Sequence, residues 1–397
     1  MLIEMIRCGL KIMIYDIAII GGGASGMAAA VSLAEKGLSV AIAEAKPRIG
    51  QKILVTGSGR CNLTNLNITS ANYRSENPEV AEKIIARYGA DEVRAFFSCI
   101  GLVTRSKDNL IYPLSNKAAS VVDCLRFALS KYRVSIFTGF DAADVELGGG
   151  LYRIKSREGG LIQARKVIIA AGGKAFNGTD TGLIILKKFG HSIKKTYPAL
   201  VALTSEDAFL KGLKGVKFIG EIRVRRGSEL LRTERGEILF TDYGISGIAV
   251  MQVSYLFSLY DDLVLELDFL PDMSLSEAEK TLEHMADFYS ASSVTAEEYL
   301  SGIVDKKLGV RILKYSKGGS LADNLKSMPL KISGTKGFKN AQVCGGGALL
   351  SGFNPNTLES RHAEGLYAIG EVLDAVGDCG GYNLHWAWAT ALYATNV

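Results

Sequence analysis

Residues 15–45 read YDIAIIGGGASGMAAAVSLAEKGLSVAIAEA, and this stretch limits what the chain can fold into. Residues 15–20 are an apolar run of strand length. Residues 24–36 have helical composition and stop at Gly37, a residue suited to the position just past a helix end. Residues 38–44 form a second apolar strand that ends in Glu44. The pattern is strand, helix, strand, with G-x-G-x-x-G filled by Gly21, Gly23 and Gly26. Gly21 makes the tight turn, Gly23 lets the backbone approach a pyrophosphate, and Gly26 lets the helix pack close to the strand. Ala24 and Ser25 open the helix, whose first amides carry partial positive charge. Glu44, followed by Ala45 and Lys46, stands where a carboxylate bonds ribose hydroxyls and disfavours a 2′-phosphate. The expectation is an α/β, Rossmann-like dinucleotide-binding domain for FAD or NAD.

Three features select FAD. The second strand leads into VTGSGRCNLTN (55–65), where an NAD domain would continue with another strand–helix unit. ARKVIIAAGGKAF (164–176) is an apolar strand running into Ala171, Gly172 and Gly173. GLYAIGEVLDAVGDCGGYNLHWAWATAL (365–392) reads as a short strand over 366–370, a polar turn with Gly370, Glu371 and Asp374, and a helix from Gly381. Glu371 is expected to approach the ribityl and phosphate chain. Gly381, Tyr382, Asn383 and Leu384 would aim the helix start at the flavin N1–C2=O edge. Reduced flavin is anionic there, so the helix dipole favours it by roughly 0.3–2 kcal/mol.

With 397 residues, two or three domains are expected. Net charge is +5, spread along the chain without the basic stripe of a nucleic-acid platform. The six cysteines form no C-x-x-C pair and the four histidines no i, i+4 pair, which argues against a disulfide framework or a metal site and fits a reducing cytoplasm. No apolar run is long enough to cross a membrane. MLIEMIRCGLKI is a poor signal peptide, and residues 1–12 read as a loose N-terminal extension.

The segment RIGQKILVTGSGRCNLTN (48–65), with GGYNLHWAW near the C-terminus and GTKGFKNAQVCGGG (334–347), resembles the BaiN-type, aminoacetone-oxidase-like family of NAD(P)/FAD-dependent oxidoreductases. The resemblance runs from about residue 13 to the end. It implies a discontinuous FAD domain, 13–195 and 341–397, with an inserted substrate-side domain, 196–340. It also implies that Lys52 and the loop of Ser58, Gly59, Arg60, Cys61, Asn62, Thr64 and Asn65 wrap the flavin's ribityl and pyrophosphate region. Arg60 would offer charge to the phosphates, and the asparagines and Thr64 hydrogen bonds. Cys61 is then a loop residue near the flavin, not a nucleophile. His385, Cys379 and Asp180 depart from the family pattern, where Gln, Thr and Gly are usual.

Elsewhere, 78–100 and 116–132 read as helices. Residues 134–138, 151–156 and 161–170 read as strands, with a hairpin turn at Gly148–Gly150. The insertion reads as β-rich with helices at 246–258, 274–290 and 295–303. Its RVRR run (223–226) suits either the solvent face of a strand or an anion patch. Residues near Tyr243, Met251 and Lys336 are expected to line the substrate pocket. There is no second G-x-G-x-x-G, so NAD(P)H would visit only transiently as electron donor. The sequence names no catalytic acid or base; Tyr382 and His385 are the best-placed titratable groups, and a structural role is the commoner one for each.

The expected function is an FAD-dependent oxidoreductase passing hydride between a small organic substrate (enone reduction or amine oxidation) and NAD(P)H or oxygen, without nucleic-acid or membrane partners. The alternatives are a flavin-dependent RNA-modifying protein and a non-catalytic flavin redox sensor.

Overall fold

The computed structural model describes residues 13–290, 293–295, 297–315 and 319–396; the expected extension over 1–12 lies outside them. The chain divides into two compact units. One runs to Thr196 and resumes at Val343; the other is Tyr197–Gln342.

The first unit is built on a seven-stranded sheet. Ile14–Ile20 pairs in parallel with Val40–Glu44 on one side and Leu161–Ile169 on the other. Ser135–Thr138 extends the parallel part beyond Val40–Glu44. Leu366–Ala368 runs parallel to the end of Leu161–Ile169, and the hairpin Ala142–Gly148 and Leu151–Ser156 adds antiparallel strands beside its beginning. Ile17, Ala18, Ile19 and Ile20 are all buried, as a central parallel strand covered on both faces requires. The helix Ala24–Glu35 is Ala-rich and almost wholly buried. Small side chains let it sit close to the sheet and to the C-terminal helix Tyr382–Thr395. That helix is itself largely apolar and buried along nearly its whole length.

The single helix expected over 78–100 is two, Pro78–Arg87 and Ala90–Cys99. Gly89 caps the second, and the Glu92 carboxylate accepts from its amide at 2.9 Å. This one half of a capping box, the Glu92 carboxylate on the Gly89 amide, starts a new helix where periodicity alone reads a continuous one.

The second unit carries a seven-stranded antiparallel sheet of its own. Its order is Met328–Leu330, Leu263–Asp268, Lys217–Arg226, Glu229–Phe240, Gly244–Ser246, Leu203–Thr204, Gly334–Thr335. Helices Ile248–Val253, Leu275–Tyr289, Lys306–Lys314 and Leu321–Lys326 accompany it. A separate core gathers Ile222, Val224, Ile238, Phe240, Leu265 and Leu267 with residues of those helices. The helix expected at 295–303 is absent among the described residues, where hydrogen-bonded turns stand instead. The helices at Lys306–Lys314 and Leu321–Lys326 were not expected.

RVRR lies on the strand Lys217–Arg226, and acids on and just before the neighbouring strand Leu263–Asp268 pair with it. Arg223 sits 3.6 Å from Asp268, and Arg225 3.5 Å from Glu266. Arg226 sits 2.9 Å from Asp262.

Candidate cofactor site

Each fingerprint glycine has a separate physical task. Gly21 has φ +110, and a Cβ on it would stand 2.3 Å from the Ala170 carbonyl oxygen. A Cβ on Gly26 would fall 1.9 Å from the Gly21 oxygen, so helix and turn touch backbone to backbone. A Cβ on Gly23 meets nothing within 4 Å. That open face fronts the first turn of Ala24–Glu35, which has no side-chain cap. Unsatisfied amides beside space that no protein atom fills fit a pyrophosphate.

The Glu44 carboxylate spans this turn. Its oxygens accept from the Gly22 amide at 2.7 Å and the Lys46 amide at 2.7 Å. Each oxygen keeps a lone pair for a ribose hydroxyl. Ala45 and Lys46 are exposed beyond it. Gly172, at φ +70, also faces open space, whereas a Cβ on Gly173 would strike Cys344 at 2.7 Å. Ala171 between strand and turn is half-buried.

The loop of 55–65 and the GGYN segment, far apart in sequence, meet in space. Gly57, Ser58, Gly59 and Cys61 all have left-handed φ, which coils the loop tightly. A Cβ on Gly381 would lie 2.9 Å from Asn62 Nδ2 and 2.9 Å from the Thr64 carbonyl carbon. The Trp388 indole donates to the Leu63 carbonyl at 3.2 Å, and Asn65 Nδ2 to the Gly380 carbonyl at 3.1 Å. The helix that starts at Tyr382 has no side-chain cap, and the buried Asn62 Oδ1 beside it has no partner among the described residues. A buried acceptor without a donor costs about 1–3 kcal/mol, and a flavin edge would satisfy it.

Several expected ligand side chains also hydrogen-bond within the protein. Thr64 Oγ1 lies 2.8 Å from His385 Nδ1, whose Nε2 lies 2.9 Å from the Tyr88 carbonyl. His385 must therefore donate from Nε2 and accept from Thr64, and burial pushes its pKa down to about 4. It is a neutral scaffold residue. The Tyr382 carbonyl accepts from the Tyr73 hydroxyl at 2.9 Å, and its own ring is buried with Leu384 half-buried beside it. Asn383 Oδ1 accepts from the Gly377 amide at 2.8 Å and its Nδ2 donates to the Gly377 carbonyl at 2.9 Å. Asp374 accepts from the Glu76 amide at 3.0 Å, and burial raises its carboxyl pKa. Glu371 is bonded to Lys52 Nζ at 2.5 Å and accepts from the Cys344 amide at 2.9 Å. These bonds tie Glu371 to the segment at Cys344. Arg60 is exposed, its guanidinium 5.6 Å from the Tyr112 ring centroid.

Ser25 lies buried under the Gly370 turn, where a Gly370 Cβ would meet its Oγ at 2.5 Å. Two residues that sequence reasoning passed over hold that turn. Thr390 Oγ1 accepts from the Gly370 amide at 2.9 Å, and the Trp386 indole donates to the Gly370 carbonyl at 3.1 Å. Their i, i+4 spacing on the last helix was the available signal. Cys61 is buried, and burial pushes its thiol pKa up to about 12. Cys344 is pushed up to about 12 by burial and by Glu371. Neither offers a thiolate at neutral pH. Among the described residues no cluster suits a metal ion, and no helix is long and apolar enough to cross a membrane.

In the second unit, Tyr243, Met251 and Lys336 line a single cavity of about 310 Å³.

Residues 15–397 match the family model described as HI0933-like protein Rossmann domain. Over 401 residues the chain is 39% identical to a 3-dehydro-bile acid delta(4,6)-reductase of Clostridium scindens, covering 95% of this chain and 97% of that protein. It is 30% identical over 396 residues to a ribosomal RNA dihydrouridine synthase of Haemophilus influenzae, covering 94% and 96%. A solved 3-ketosteroid delta1-dehydrogenase from Sterolibacterium denitrificans superposes with TM-score 0.53 at 14% identity, covering 96% of this chain and 98% of that one. At that identity the likeness is one of fold.

Proposed function

Because this chain belongs to the HI0933-like Rossmann family and is an FAD-dependent oxidoreductase, we propose that it saturates a carbon–carbon double bond conjugated with a carbonyl group. One observation carries the reading. The names of the bile-acid and RNA relatives, which match nearly the whole chain, both describe reduction of such a bond: one beside a 3-oxo group, the other in the uracil ring. When bound and reduced, FAD would supply the hydride, with NAD(P)H as the electron donor. Hydride adds to the carbon β to the carbonyl, and a proton adds to the α carbon.

The chain's own residues do the holding. The turn at Gly21–Gly26 and the helix at Ala24 would receive the pyrophosphate, and Glu44 the ribose. The start of the helix Tyr382–Thr395 and Asn62 would face the flavin's polar edge. The second unit would hold the substrate. Higher identity to the bile-acid reductase favours a steroid-like enone. A uridine in RNA is the second reading, favoured by the Haemophilus relative. Against it, residues 197–342 carry 18 Lys and Arg against 20 Asp and Glu, a balance of −2, and the RVRR run is ion-paired. Cys61, Cys99, Cys124 and Cys344 are free thiols, which supports a reducing cytoplasmic setting.

The test is anaerobic. Protein bleached at the flavin band with NADH or NADPH is mixed with a 3-oxo-4-ene steroid or with uridine-containing ribosomal RNA. Reoxidation by the steroid, with one equivalent of saturated ketone formed, is expected. Reoxidation by oxygen alone sinks the reading, and reoxidation by the RNA alone selects the second one.

A further inference from the structure

Asn62 is 9% exposed, and its Oδ1 has no hydrogen-bond partner among the described residues. The chain on either side of it is tied down. The Cys61 amide donates to the Thr56 carbonyl at 3.1 Å, and the Leu63 amide to the Ile111 carbonyl at 2.7 Å. The Leu63 carbonyl in turn accepts from the Trp388 indole at 3.2 Å. Carrying Oδ1 out to water would break bonds that its neighbours make, so the oxygen waits for a donor brought to it.

The residue is also confined from the side. A Cβ on Gly57 would stand 3.2 Å from the Asn62 backbone nitrogen, and one on Gly381 2.9 Å from Nδ2 and 3.0 Å from Cγ. Gly381, at φ +94, precedes the helix Tyr382–Thr395, whose first turn has no side-chain cap. Backbone donors at a helix start and one side-chain acceptor therefore stand side by side. A phosphate would satisfy the amides but set another acceptor against Oδ1. The matching ligand presents acceptors next to a donor. The polar edge of an isoalloxazine ring has that pattern: N1 and the C2 carbonyl accept, and the adjacent N3–H donates.

We propose that Asn62 is the specificity-determining residue for the flavin ring, with Oδ1 accepting from N3–H while the helix start serves N1 and the C2 carbonyl. The proposal rests on the placing of the flavin's polar edge given above and adds the one bond there that a side chain decides. N3–H is present in the oxidised and the reduced ring alike. The bond therefore supports binding of both and leaves the redox potential to the helix start.

The test is a competition for the full-length, FAD-loaded protein. It is dialysed against an equimolar mixture of FAD and 3-methyl-FAD, in which a methyl group replaces the N3 hydrogen, and the bound flavins are quantified by chromatography. FAD should be preferred at least about 10-fold, the equivalent of about 1.4 kcal/mol. The preference should vanish in Asn62→Ala, which removes the acceptor and leaves room for the methyl group. It should persist in Asn62→Asp, whose carboxyl oxygen still accepts. Should Asn62→Ala hold no flavin, wild type and Asn62→Asp must both prefer FAD. Absence of the preference in wild type, or its survival in Asn62→Ala, overturns the proposal. So does a fall in the midpoint potential of Asn62→Ala at unchanged affinity for oxidised FAD, which would make N5–H the donor. Gly23→Val separates this claim from the one beneath it. If that variant empties of flavin while wild type takes both flavins equally, the cofactor's place stands and the role of Asn62 falls. If it keeps its flavin, the placing itself falls.

Discussion

Gly23→Val is expected to empty the protein of flavin while leaving its core intact. Gly23 has φ −83 and ψ −161, a region open to branched residues, and the new Cβ meets no protein atom within 4 Å. The cost to the fold is therefore the poorer helix N-cap, about 1 kcal/mol. Its γ carbons project where the pyrophosphate would lie. Gly26→Val is the contrast, because its Cβ would stand 1.9 Å from the Gly21 oxygen and must push helix from strand. Overpacking of that kind costs about 1–3 kcal/mol or more. In wild type, FAD at 100 times its Kd adds about 2.7 kcal/mol to stability. At about 2 °C per kcal/mol for a unit of about 250 residues, apoprotein should gain up to roughly 5 °C in Tm on adding FAD. Gly23→Val should melt within a few degrees of wild-type apoprotein and gain nothing from FAD; Gly26→Val should melt lower or fail to fold. Absorbance near the flavin band and thermal melts with and without FAD read both quantities. Retention of FAD by Gly23→Val, or a melt as low as that of Gly26→Val, would refute the placing of the cofactor.

Other outcomes follow from the same geometry. In native protein at pH 8, mass-spectrometric alkylation should label the exposed Cys99 and spare Cys61 and Cys344, and Cys61→Ser should keep its flavin and most of its reduction rate; a loss above roughly 100-fold, about 2.7 kcal/mol of barrier, would give the thiol a chemical role. His385 and His191 both have pKa values lowered to about 4, chiefly by burial. His191 faces His362, Ser360 and Phe353. A depressed histidine makes the unfolded chain bind more protons as pH falls below about 6.5, so stability drops by about 1.4 kcal/mol per pH unit per histidine until pH about 4. Urea midpoints should fall across that window, and His385→Gln should remove about half the slope; an unchanged slope contradicts the neutral assignment. For Lys52 and Glu371, whose side chains are 35% and 22% exposed, solvent screening limits the coupling to about 1 kcal/mol. A double-mutant cycle with Lys52→Met and Glu371→Gln should find that in urea unfolding, and zero coupling would mean that the pair does not form in solution.

Local pattern alone reveals the strand–helix–strand opening, the strand Leu161–Ile169, the hairpin at Gly148–Gly150 and the final helix. Each is recorded within a few neighbouring residues, as a period, a capping residue or a turn glycine. The break between Pro78–Arg87 and Ala90–Cys99 was also legible, in Gly89 and Glu92, but periodicity outweighed it. The turns that stand in place of a helix at 297–303 were not legible, and the exposed Gly302 among them is a weak helix former. The division of labour inside the cofactor site was equally hidden. Motifs name Thr64, Asn65, Glu371 and Asn383 as a group, but only the fold spends Thr64 on His385, Glu371 on Lys52 and Asn383 on Gly377, and leaves Asn62 Oδ1 over. Thr64 meets His385 across 321 residues and Lys52 meets Glu371 across 319. No local period encodes contacts at such separations. They arise when the sheet closes and the last helix, buried on every side, packs onto the first, so tertiary packing determines which polar groups are consumed by the scaffold and which remain to meet a ligand.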